Sequence, residues 1–189
     1  MFKRPTWKEA LLALALGIFS ISVQAAFNAG MTPAQVQAEI SAMLSQTNPQ
    51  TGKPYSLVDV ANAAKTAGVE AGEYTSAVIA AGTNPAVAVT AAIAAWGQAD
   101  APAITAAAIA AAPSAVSEVI RVANALAPDQ TQAITTAALA VPGVDPATVL
   151  AATAAGPAAA GTIAALTAAA AAPGGGAGGG GGGGVASPA

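Results

Sequence analysis

Across residues 56–172, large aliphatic side chains recur three or four positions apart inside short alanine-rich runs, each opened by a proline or a capping residue. That period is helical. The runs are 56–67, 69–81, 85–96, 101–112, 114–127, 129–141, 146–155 and 157–172, and their bulk falls on one face. Examples are Tyr74, Val78 and Ala81; Val89, Ile93 and Trp96; Val119, Val122 and Leu126; Ile134, Ala138 and Val141; Ile163, Leu166 and Ala170. Gly68, Gly82, Gly97, Pro113, Pro128, Gly143 and Gly156 break the runs, with proline inside the start and glycine past the end, the polarity of helices. An earlier helix is predicted over 33–46. Thr32 caps it, Pro33 occupies the first turn, Gln35 can bond back to the cap, and Val36, Ile40 and Met43 or Leu44 form its stripe. Residues 47–54, with two prolines and a glycine, read as a loop between these regions.

None of these helices can persist alone. A buried methyl contributes on the order of 0.8 kcal/mol, whereas fixing one residue's backbone costs about 1–2 kcal/mol. A twelve-residue run with two aliphatics must therefore share its burial with neighbours, and alanine lets helix axes approach closely enough to recover dispersion. The predicted fold class is all-α: an array of short Ala-rich helices, an α-hairpin or solenoid-like stack, with a disordered Gly-rich C-terminal tail. The period is too irregular for the tetratricopeptide, ankyrin or armadillo signatures.

The two ends of the chain read differently from its middle. Lys3, Arg4 and Lys8 precede an apolar run over 10–21, and Val23-Gln24-Ala25 supplies small residues for a peptidase, so 1–25 is predicted to be a secretory signal cut after Ala25. About twelve apolar residues are too few for a bilayer-spanning helix, which needs ~20. The domain organisation is then a signal peptide at 1–25, a helical domain at 26–172 and a disordered tail at 173–189. The tail's glycine run lacks the lysine and Ser/Thr of a phosphate-binding loop and suits a tether.

Composition narrows function by exclusion. Charged residues are 8% of the chain, against ~25% in typical soluble domains. After the predicted cleavage Lys53, Lys65 and Arg121 face eight acids, a balance of −5, which leaves no basic footprint for nucleic acid. Histidine and cysteine are absent, removing the commonest metal ligands, thiolate chemistry and disulfides. Asp59, Glu70, Asp100, Glu118, Asp129 and Asp145 each fall at a predicted helix start, where a carboxylate caps free N–H groups and opposes the dipole. They read as caps rather than an acid/base pair. Lys65 fits a helix C-terminus, and Arg121 is spaced to pair with Glu118.

Three residues are singled out as contact candidates. Trp96 is the one tryptophan beyond the signal; it reads as a plug between alanine-rich helices or as a stacking anchor. Lys53 and Tyr55 sit at the loop and read as a surface connection or a small contact site. Catalytic, cofactor-binding and metal residues are not predicted. Threonines punctuate the later helices, but at spacings too irregular for a flat ice-binding face. The expected function is that of an exported, non-enzymatic structural or interaction protein, a cell-surface or extracellular matrix component acting through self-association or a cell-surface polymer. The alternative is a periplasmic binding or scaffold module for a peptide or glycan.

Overall fold

The structure, a computed structural model, describes residues 27–28, 30–49 and 51–173. The predicted signal segment and the glycine run lie outside those residues. Nine α-helices are present among the described residues: α1 Pro33–Leu44, α2 Leu57–Thr66, α3 Ala71–Ala80, α4 Pro85–Trp96, α5 Ala101–Ala111, α6 Val116–Leu126, α7 Thr131–Leu139, α8 Pro146–Ala154 and α9 Ala160–Ala171. They pack on one another without a β-sheet, so the expected all-α stack is what the chain forms.

Local chemistry sets the helix ends. Thr32 and Ser56 each complete a reciprocal capping box, with Gln35 and Asp59 respectively. Asn84 accepts from the N–H groups of Ala86 and Val87 ahead of Pro85, and Asp145 accepts from Ala147 N–H ahead of Pro146. After α2 and α3, Gly68 (φ 84°) and Gly82 (φ 94°) adopt the left-handed conformation. The next residue's N–H then reaches back to Ala64 O or Val78 O at 3.0 and 3.2 Å, the hydrogen bond that closes a glycine-terminated helix.

The helices α5, α6 and α7 share a different entry. Each is preceded by one 3-10 turn, at Gln98–Asp100, Pro113–Ala115 and Pro128–Gln130. Ala112 and Ala127, which precede prolines, lie outside the α region at φ −140° and −135°, where proline's ring pushes the residue before it. The α-helical parts of runs 114–127 and 129–141 therefore begin at Val116 and Thr131, because the tighter turn takes the residues before them.

Packing is two-layered. Each helix from α1 to α6 packs most extensively against a helix two positions away in the chain, so α1, α3, α5 and α7 form one layer and α2, α4, α6 and α8 the other. Small residues bring the layers' members close: a Cβ built on Gly72 of α3 would sit 3.4 Å from Ala107 Cβ of α5. The last helix breaks the pattern. Instead of extending the first layer past α7, α9 doubles back across α4, α2 and α6. Arg121 of α6 holds the connection from a distance in sequence, its carbonyl accepting from Ala158 N–H at 2.9 Å and its Nε donating to Gly156 O at 3.4 Å. The expected Glu118–Arg121 pair does not form, since Arg121 is used there instead.

Helix α4 is thereby surrounded by α2, α6, α3, α5 and α9, and residues 86–93 are all buried. A helix apolar on every side is one that has neighbours on every side. Its one polar residue in that span, Thr90, donates its hydroxyl to Ala86 O at 2.8 Å. Thr105 of α5 is equally buried, yet its Oγ1 has no partner. An unsatisfied buried hydroxyl costs about 1–3 kcal/mol, so Thr105→Val, which keeps the shape, is expected to raise stability by that order in urea denaturation. An unchanged or lower midpoint would show that the hydroxyl is satisfied in solution.

Candidate functional site

The polar and aromatic side chains that the fold gathers lie at the C-terminal end of α4. Trp96, half-buried, meets the ring of Tyr74 with centroids 5.2 Å apart at a tilt of 35°. Tyr74 is fully buried on α3 and donates its hydroxyl to Leu57 O of α2 at 2.7 Å. Lys65, in the last turn of α2, donates Nζ to Ala95 O at 2.7 Å, placing a cation at the negative end of the α4 dipole. Three helices are thus tied together around one tryptophan. Its ring contact is with the core, which favours the plug over the anchor. Burial away from water pushes the Tyr74 phenol well above its ordinary value of about 10.

The other two candidates stand apart from it. Tyr55 is buried, while Lys53 is exposed on a small antiparallel turn closed by Asn48 N–H to Lys53 O at 2.7 Å and by the Thr47–Pro54 bridge. No ring contact joins Tyr55 to Trp96 among the described residues. The loop therefore presents one cation and no cluster.

Of the acids read as caps, Asp59 and Asp145 make the cap hydrogen bonds, whereas Glu70 and Asp100 occupy cap positions without one. The Ala147 N–H and the Thr148 hydroxyl hold the Asp145 carboxyl below the usual range. No group of three acids, histidines or cysteines able to hold a metal occurs among the described residues, and none of their helices is long and apolar enough to cross a membrane. The threonines do not line one face: Thr90 and Thr105 are buried, and Thr135 and Thr153 meet across α7 and α8 at 3.1 Å.

Two apolar surfaces went unseen in the sequence. One is the end of the stack. Among the described residues no further repeat stands beyond the paired helices α7 and α8, which expose Leu139 (41%) and Leu150 (56%). Among described residues beyond Asp129, Asp145 alone is charged. The other is a cleft of about 460 Å³ between α6 and α9, lined by Asn124, Ala125, Pro128, Pro157, Ile163 and Ala164 among others. Asn124 is 4% exposed and its Oδ1 has no hydrogen-bond partner. The first signal was available in principle, as a run of 28 described residues after Asp145 without a charge. The second depends on where α9 goes.

The chain matches no protein-family model, no curated protein and no solved structure.

Proposed function

We propose that this is an exported, non-enzymatic structural protein, a cell-surface or extracellular matrix component that works by associating with copies of itself. The observation that supports this reading is the end of the stack formed by α7 and α8, which no polar repeat covers among the described residues. Repeat arrays need a polar terminal repeat to stay apart in water. The first helices meet that need, with Gln35, Ser41, Asp59, Asn62 and Lys65 exposed on α1 and α2. At the other end Leu139 and Leu150 are presented on a nearly uncharged surface, where neither repulsion nor desolvation of charge opposes a second copy. Two like ends meeting would bury both leucines.

The test is sedimentation velocity of the purified protein over a hundredfold range of concentration, beside L139E/L150E. The expected result is mass that grows with concentration in the natural sequence and stays monomeric in the variant, whose exposed positions leave the fold intact. A natural protein that is monomeric throughout would overturn the proposal. Export is tested separately, by fractionating the host culture for the chain shortened at Ala25.

The cleft between α6 and α9 favours a second reading, a periplasmic binding or scaffold module for a peptide. Its largely apolar walls suit an apolar peptide segment.

A further inference from the structure

We infer that α9 is an exchangeable strap, and that the face it covers on α2, α4 and α6 is a docking surface for the α9 of a second copy. The inference rests on the self-association reading and names a contact distinct from the stack end.

Helix α9 is the least held of the nine. Ala170 alone of its twelve residues is buried, while Ile163, Leu166 and Ala169 lie half-buried against the core. Its cap residue, Ala159, makes no side-chain cap hydrogen bond, as is also true of α3, α5, α6 and α7, so capping does not compensate for its thin burial. A helix of this length is marginal by itself, so its order comes from the surface beneath it. Its first turns do not seat closely: Ala160, Ile163 and Ala164 form one wall of the cleft facing Asn124 and Ala125.

The connection is built to turn. Residues 155–159 carry Gly156 at φ 78° followed by Pro157, and the two Arg121 hydrogen bonds fasten it. Helix α9 carries no charge, and neither does the α4 surface it crosses most extensively. No ion pair fixes the strap to its own chain, and the occupant that this surface is known to fit is a helix of this sequence. When two copies exchange α9, every contact of the closed form is remade between chains, and the difference left is the geometry of the hinge. A five-residue tether gives the chain's own α9 an effective concentration on the order of mM. The closed form therefore prevails in dilute solution and exchange in a crowded layer.

Hinge length is the variable to test. Deleting residues 158 and 159 in an L139E/L150E background, which removes the stack-end contact, leaves too little chain for α9 to turn back on itself. The expected product keeps its helical circular dichroism and has twice the monomer mass. Inserting six Gly/Ser residues after Pro157 in the same background is expected to return it to monomer. A folded, monomeric short-hinge variant overturns the exchange. Should the short hinge fail to fold, R121C/A158C decides the matter, since the chain has no other cysteine. Refolded at mM concentration and oxidised, it is expected to give an interchain disulfide dimer, and an exclusively intrachain bond overturns the proposal. If the natural protein associates while these variants do not exchange, the strap fails and the self-association reading stands. If the natural protein is monomeric at every concentration, that reading fails first.

Discussion

Tyr74→Ala is expected to lower unfolding stability by about 3–5 kcal/mol, the range for emptying an aromatic site in a packed core. The ring is fully buried, it stacks on Trp96, and its hydroxyl ties α3 to Leu57 of α2. No larger side chain is fully buried in the described residues. In a domain whose whole margin is ~5–15 kcal/mol, the loss moves a large share of molecules toward unfolding at ambient temperature. Urea titration followed by circular dichroism and by Trp96 fluorescence measures it. A loss below about 1 kcal/mol would mean that the alanine-rich surroundings collapse into the space.

Tyr74→Phe separates the ring from the hydroxyl and is expected to cost about 0.5–1.5 kcal/mol. It also carries a pH signature. The folded phenol holds its proton above the value at which the unfolded one releases it. The unfolded state therefore binds fewer protons once pH passes about 10, and stability falls as pH rises further. Below that value the contribution is constant. In Tyr74→Phe this share of the alkaline decline is absent, and equal slopes for the two proteins above pH 10 would contradict the burial of the hydroxyl.

Ala91→Leu is the second large effect, and it acts by excess rather than loss. Ala91 lies in the enclosed span of α4, with no exposed surface. Three added carbons have no space there, and overpacking of this kind costs about 1–3 kcal/mol or more. Ala94→Leu is the control: it lies one turn on in the same helix but is exposed, so the change is expected to stay within about 0.5 kcal/mol. Equal midpoints for the two variants would refute the account in which methyl groups, and not bulk, set the spacing of the layers.

Much of this arrangement was legible in the residues, for reasons that differ by element. The limits of α4 follow from Asn84-Pro85 before it and Gly97 after it, signals that act within a few residues. The stripe proposed for α4 was too narrow, because burial on every side depends on five neighbours that periodicity does not name. Asp59 and Asp145 cap as expected, whereas Asp100 sits at the end of a 3-10 turn whose geometry takes its carboxylate out of reach of the helix N–H groups. The return of α9 was not readable, since the guanidinium and carbonyl of Arg121 that fasten its connection lie 35 residues or more earlier in the chain. The ring contact of Trp96 was not readable either, since its partner Tyr74 belongs to another run. Tyr55 and Lys53 are two residues apart and diverge in exposure, because the small turn tucks one in and leaves the other out.

The two-layer connectivity also orders events in time. Contacts between helices two apart span short stretches of chain, so pairs can settle as the chain is made, each on the one before. Helix α9 cannot join that sequence, because one of its supports, α2, lies on the order of 100 residues back and the surface it covers on α2, α4 and α6 is complete only once α6 is in place. It arrives last, and the interval before it arrives is when a neighbouring molecule can arrive first.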